Sequence, residues 1–386
     1  MNKIIFYFFL LIAFGSCKRD KVPDAVNASP LIYEVAYSRD GNEFPRSAVV
    51  VDDSVFMSSS FSDAAFGKTD IAFSRIPSSG KGMISIQMGL VNTSNDGNRI
   101  LQLPDGNFMI TGATGNGSLN AVVLFTDRQG HYLNGYSFDN GGDEVFADGS
   151  RLADGSYLLA GTSTGNGHGL RDMFVVRMNA SGGLTWKKTF GTPGNDGAAQ
   201  LVKVSDGYFI YGYTDGVGAG DRDLLIVKIN ENGDSLWSQT YGGAGYEQSG
   251  GIIATSDGNY LLCGHSTSFG DPMHDTYLVK INPDGDELWH KTYGGSDHDG
   301  ADAIVKLSNG NFAMIGYSRI AGLNDDELYY LEVLPNGTLR RELRYGYAIN
   351  ERGTAIAEVS DGIILVGYST PLTNQNSNVY LVKIKK

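Results

Sequence analysis

The chain is short of the features that staple small secreted domains together or draw a protein onto nucleic acid. It has two cysteines, Cys17 and Cys263, in 386 residues, so no disulfide framework can define its fold. Basic side chains are outnumbered, 30 Lys and Arg against 43 Asp and Glu. The formal charge of −13 therefore disfavours nucleic acid and anionic lipid headgroups as partners. Prolines number only ten, while glycine reaches 52 and aromatics 11 %, the balance of a folded β-rich protein rather than a disordered one. The unbroken apolar run Ile4 to Phe14 is eleven residues long, too short to cross roughly 30 Å of hydrocarbon as a helix. No His-Glu-x-x-His motif or phosphate loop is present.

That apolar run, preceded by Lys3, has the length of the h-region of a secretory signal, and Gly15 and Ser16 supply the small residues a signal peptidase needs. Phe14-Gly15-Ser16-Cys17 resembles a bacterial lipobox, which implies cleavage after residue 16 and acylation of Cys17. The resemblance makes Cys17 a membrane anchor carrying palmitate-type chains and leaves Cys263 without a partner. Cys263 lies in the apolar run Tyr260-Leu261-Leu262-Cys263 and reads as a small core residue. Residues 18 to 30 are polar, with two prolines, and read as a flexible tether reaching at most about 43 Å.

The rest of the chain repeats. Turn signals recur at Asp105-Gly106, Asp154-Gly155, Asp206-Gly207, Asp257-Gly258, Asn309-Gly310 and Asp361-Gly362, at intervals of 49, 52, 51, 52 and 52, with a degenerate first copy at Asp52-Asp53. Each is followed by an apolar run ending in Gly, then a β-branched run such as Leu224 to Ile229, then an aromatic run such as Leu236 to Tyr241. Four short strands per unit make a small antiparallel sheet that must stack on its neighbours to bury both faces, and radial stacking gives a propeller. The expected fold is all-β, a seven-bladed β-propeller with blades near 44–90, 97–138, 145–190, 197–241, 248–293, 300–345 and 352–384. The last unit stops after its third strand, and Tyr33 to Tyr37 carries the spacing of a fourth. Residues 31–37 are therefore expected to complete that blade and close the ring.

In such a ring the connections from strand four to strand one and from strand two to strand three share one face. The strand two to three loops, such as Thr164 to Arg171 and Thr267 to His274, are longer than the tight turns and differ from unit to unit, which places binding on that face. Two acidic positions recur there. One comprises Glu43, Asp96, Glu144, Asp196, Glu247, Asp299 and Glu351; the other comprises Asp70, Asp172, Asp223, Asp275 and Glu327, with Asn120 and Asn378 in the remaining units. A ring of acids could hold a cation such as Ca²⁺, but carboxylates that accept turn N–H groups explain a feature repeated in every unit more simply. His265, His274 and His298 break the symmetry; with Asp299 they offer a zinc ligand set, or else are surface histidines. Trp186, Trp237 and Trp289, with Tyr33, occupy equivalent outer positions, suited to packing on the next sheet or to stacking sugar rings.

The run Leu-Trp-x-x-Thr-Tyr-Gly-Gly, then Asp-Gly-x-Tyr-Leu-Leu-x-Gly, then Asp-x-x-Leu-Val-Lys-Ile-Asn resembles propeller repeats of cell-surface lipoproteins and secreted proteins of the Bacteroidetes. The resemblance spans residues 31–386 and implies the fold and an outer-membrane location, periplasmic or surface-facing. Gly285-Asp286-Glu287-Leu288-Trp289 and Gly233-Asp234-Ser235-Leu236-Trp237 also look like the Gly-x-x-x-Trp docking element of quinoprotein-type propellers. The Ala-x-Asp-x-x-Thr expected before that Gly is absent, so no quinone cofactor carries over. The expected function is non-enzymatic, a binding or scaffold module for a protein or glycan. The alternative is a carbohydrate-active hydrolase or lyase that uses acids at the channel mouth.

Overall fold

The computed structural model describes residues 30–38, 41–63, 68–89, 93–271, 273–319, 325–346, 350–371 and 376–386, with the backbone alone for 7–11 and 16–17. The expected signal peptide and tether otherwise lie outside the described residues. The backbone of Tyr7–Leu11 runs antiparallel to Ile84–Gly89, and Ser16–Cys17 runs antiparallel to Ala36 and Tyr37.

From Leu31 onward the described residues form twenty-eight strands in antiparallel sets of four. The set Glu144–Arg151, Tyr157–Ser163, Asp172–Met178 and Leu184–Phe190 shows the pattern: each strand pairs with the next in sequence. The sets occupy 42–89, 94–138, 144–190, 196–241, 247–293, 299–345 and 350–384, the last taking Leu31–Tyr37 as its outer strand through Tyr37↔Val379 and Val35↔Leu381. One parallel bridge, Asp326↔Asn350, joins the last two sets. Opening strands begin one to three residues earlier than the repeats suggest, because the recurrent acid itself pairs in the ladder, as in Glu144↔Ser163. The turns between first and second strands use Gly106, Gly155, Gly258 and Gly310 at φ of 81 to 85°, a region that needs no Cβ.

Middle strands are apolar on both sides, as in Asp223–Ile229 and Asn378–Ile384, because each sheet is covered on both faces. Consecutive sets share one apolar cluster. Phe146, Phe174 and Val176 pack with Met109 and Val123 of the preceding set, for example. Another cluster joins Val35, Tyr37 and Leu381 to Val55, Met57 and Ile76 of the first set. Outer strands tie to the next set's last turn: Tyr241 Oη donates to Gly285 O at 2.7 Å, and Tyr293 Oη to Gly337 O at 2.6 Å. The Trp237 ring fills the space a Cβ on Gly285 would occupy, 2.8 Å away, so the tryptophans pack against the neighbouring sheet.

Every opening strand carries a β-bulge, for instance between Ala198 and Gln200 and between Ala301 and Ala303. The bulged residues Arg46, Asn98, Ala147, Ala199, Asp302 and Thr354 line one central cavity of about 350 Å³. A bulge frees a backbone N–H, and the preceding set satisfies it: Ile252 N donates to Gln200 Oε1 at 2.9 Å, and Leu201 N to Asp148 Oδ2 at 2.9 Å. Cys263 is fully buried, and burial pushes its thiol up to about 12. A thiol so held is packing, not a nucleophile.

Candidate functional site

The repeated acids organise their own loops. Glu144 accepts from Ser163 Oγ at 2.8 Å and Gly142 N at 3.1 Å; Asp196 accepts from Thr192 N at 2.6 Å. Glu247 accepts from Ser266 Oγ at 2.6 Å, and Asp299 from Gly295 N at 2.7 Å. Glu43 and Glu351 are equally buried at the corresponding strand starts. The set 94–138 requires a correction: register puts Asn95 opposite Thr114, as Glu144 stands opposite Ser163, so buried Asn95 and not half-buried Asp96 holds the ring position. The second group behaves alike, with Asp172 accepting from His168 N at 2.8 Å and Asp223 from Ala219 N at 3.0 Å.

The two groups meet at the junctions between sets. A Cβ on Gly294 would lie 2.4 Å from Asp275 Oδ1 and 2.6 Å from Asp299 Oδ2, and Gly191 and Gly242 sit likewise between Asp172 and Asp196 and between Asp223 and Glu247. Burial, and then the Asp299 charge among the raising causes, lifts the Asp275 carboxyl to about 6. Where the ring position is an amide, a hydrogen bond replaces the repulsion: Asn95 Nδ2 donates to Asp70 Oδ1 at 3.3 Å.

A different set of positions, beside the repeated acids, changes identity around the molecule. Tyr213, His265, Tyr317 and Tyr368 lie at one place on the second strand of four successive sets, opposite Gly197, Gln248, Gly300 and Arg352. The residue before the acid that opens strand three is Arg222, His274 or Asp326 in three of these sets. Contacts between neighbouring rings and guanidiniums join these side chains into one wall across successive sets.

The three sequence-predicted histidines do come together there. His265 and His274 stack with ring centroids 4.8 Å and planes 10° apart, His298 stands edge-on to His274 at 4.8 Å, and Tyr246 stacks on both His265 and His274. Imidazole lone pairs lie in the ring plane, so stacked rings cannot aim their nitrogens at one ion. Asp299 does not face them; its carboxylate holds Gly295 N, and only its backbone N–H reaches His274 O, at 2.6 Å. Among the described residues no three His, Cys, Asp or Glu side chains converge as a metal site. Burial, then the neighbouring His274 and Arg352, pushes His265 down to about 3, and burial with His298 and Arg319 lowers His274 too. Burial thus favours the uncharged form of both rings, His265 the more strongly.

Sequence reasoning missed the cations beside them. The Arg222 guanidinium lies 4.1 Å over Tyr213 and 4.8 Å over Tyr246, and donates to Tyr246 Oη at 2.6 Å and Gln248 Oε1 at 2.8 Å. Arg352 lies 4.0 Å over Tyr317 and reaches Asp326 Oδ2 at 2.8 Å, while Arg319 takes Asp326 Oδ1 at 2.9 Å. Two guanidiniums share one carboxylate. A Gly-x-Ser-x-Gly run also exists, Gly161-Thr162-Ser163-Thr164-Gly165, but Ser163 is buried in a strand with its hydroxyl on Glu144, not at a strand-to-helix elbow.

No protein-family model and no curated protein matches the chain. Solved structures do match it. The WD40 β-propeller domain of Doa1 is similar over 94 % of this chain and 98 % of that one, at a TM-score of 0.56 and 15 % identity. The fold is a β-propeller. An ulvan lyase, a polysaccharide lyase solved with -[GlcA(1-4)Rha3S]- bound, is similar over 90 % and 94 % at 0.51 and 10 %. A puromycin hydrolase is similar over 88 % of this chain, which spans about half, 53 %, of that longer protein, at 0.54 and 14 %. At these identities the likeness extends to the fold alone.

Proposed function

We propose that the chain is an exported lipoprotein whose seven-bladed, ring-closed propeller is a binding module, holding a protein or glycan on its loop face. Cys17 is the lipid anchor, at an outer membrane, as the lipobox-like segment and the Bacteroidetes-type repeats suggest. Support for the ring is the outer strand Leu31–Tyr37 on Asn378–Ile384, together with the apolar cluster between the last and first sets.

The observation that carries the binding reading is the asymmetric wall of Arg222, Tyr246, His265, His274, Tyr317 and Arg352 in an otherwise repeating ring. The fold can hold a glycan, as it does in the ulvan lyase. The enzyme reading needs a proton acceptor near its working pH. Glu144, Asp196, Glu247 and Asp299 accept loop N–H groups and His265 is a weak base, which leaves Asp275, lifted to about 6, as the acid an enzyme would have to use. The test is affinity capture from detergent-solubilised membranes with wild-type protein and an Arg222→Gln, Arg352→Gln double variant. A stoichiometric partner or glycan retained only by the wild type supports the reading. A partner-free protein that cleaves a polysaccharide overturns it in favour of the enzyme.

A further inference from the structure

Resting on that reading, we propose that the ligand of this wall is an acidic oligosaccharide, its uronate carboxylate met by Arg222 and its sugar rings lying against Tyr246, His265 and His274. The starting point is charge. In a chain of net charge −13, Arg222, Arg319 and Arg352 gather on one wall, and Asp326 offsets only the last two. Arg222 is half-buried, and its hydrogen-bond acceptors are a phenol and an amide oxygen, both neutral; its Nε–H is buried without an acceptor. Asp215 acts on Arg222 only through space, its oxygens held by Asn195, so a buried donor and a cation without an ion pair leave room for a counter-charge from elsewhere. A guanidinium braced between two tyrosine faces is pre-organised for the planar, two-point contact that a carboxylate makes.

The neighbours of Arg222 decide what that carboxylate is attached to. Tyr246 lies at 21° to His265 and 11° to His274, and the three rings make one offset stack edged by Tyr246 Oη, Gln248 and ring nitrogens. Flat rings bordered by neutral donors and acceptors match a pyranose, which has apolar C–H faces and an equatorial rim of hydroxyls. Burial keeps His265 uncharged, so it adds hydrogen-bonding capacity without repelling Arg222 or competing for the anion. An acidic peptide would satisfy the charge but make less use of the aromatic stack and its neutral polar edge, which is why the saccharide is favoured.

The test is calorimetric titration of the full chain in detergent with oligogalacturonate, with its methyl ester, and with a neutral oligosaccharide of equal length. The expected result is saturable binding of the free acid, at least tenfold weaker for the ester, and weakened by added salt. Arg222→Gln should lose at least tenfold, Arg222→Lys less, and Arg171→Gln, the exposed equivalent two sets away from the histidines, nothing. Thermal melts of each variant separate lost binding from lost folding. Equal affinity for acid and ester, or oligogalacturonate binding unmoved by Arg222→Gln with the fold intact, overturns the proposal. A membrane protein captured through the loop face, with no oligosaccharide bound, overturns the saccharide while leaving the binding-module reading standing. Absence of any loop-face ligand removes both.

Discussion

Replacing Asp299 with asparagine should stabilise the protein, and only at neutral to alkaline pH. The Asp275 and Asp299 carboxylates face each other over Gly294, whose Cβ position lies 2.4 and 2.6 Å from an oxygen of each, and Asp299 Oδ1 is buried without a partner. Two unit charges about 5 Å apart at an effective dielectric of about 20 repel by about 3 kcal/mol. The sign with pH follows from Asp275, whose carboxyl is raised from 3.8 to about 6, by burial first and by Asp299 after it. A carboxyl raised on folding binds its proton more tightly in the folded state, so stability falls as pH climbs from 3.8 to 6 and stays reduced above that. The amide introduced by Asp299→Asn would keep an oxygen for Gly295 N and offer Asp275 the donor that Asn95 offers Asp70 at 3.3 Å. The expected gain is about 1–3 kcal/mol at pH 8 and close to nothing at pH 5. Urea unfolding followed by fluorescence of Trp186, Trp237 and Trp289 at both pH values measures it. An equal effect at the two pH values, or destabilisation at pH 8, would refute the idea that the junction carboxylates repel.

Val35→Asp puts a charge into the cluster between the last and first sets, where Val35 is 6 % exposed, and should cost about 3–5 kcal/mol; Ile32→Asp, 43 % exposed on the same strand, should stay within about 0.5 kcal/mol in the same urea series. Gly285→Ala combines φ of +90° with a Cβ 2.8 Å from the Trp237 ring and should lose about 1–3 kcal/mol by thermal melting, whereas Gly258→Ala, at +81° in open space, meets backbone strain alone and should lose about 1 kcal/mol. Cys17→Ser should move the protein from the detergent phase to the aqueous phase on Triton X-114 partitioning, and continued detergent partitioning would exclude lipid at that residue.

Much of the architecture was legible because repetition is a sequence property. Asp-Gly turns spaced by 49 to 52 residues mark the strand boundaries, and the aromatic spacing of Tyr33 and Tyr37 marks the strand that pairs with the chain's far end. What escaped was local register. A bulge inserts a residue and breaks the alternation on which face assignments rest, so Arg46, Asn98 and Asp302 give no sign in sequence that they point into the cavity. Asn95 escapes for another reason, being an amide with an acid, Asp96, beside it where the other sets carry the acid itself. The histidines stood out because they interrupt a tyrosine column, but Arg222, Arg352 and Asp326 did not. Each reaches the wall from a loop or the next set, and no single repeat contains the neighbours that give it meaning.

The contrast between the two kinds of loop-face position explains where recognition can arise in a propeller built from one repeat. An acid that caps its own loop does the same work in one set after another, with Asn95 as the exception: Glu144, Asp196, Glu247 and Asp299 all accept from a nearby turn N–H. The neighbouring positions have no such duty. The residues just before the strand-three acid are Arg171, Arg222, His274 and Asp326 in successive sets, and their backbones keep the same link to the following set, as Asp196 N to Arg171 O, Glu247 N to Arg222 O and Asp299 N to His274 O show. The main chain therefore holds the wall in place whichever side chain it carries. A loop face built this way can change its ligand without disturbing its fold, which is why the variable positions beside the acids, and not the acids, are where specificity should be sought.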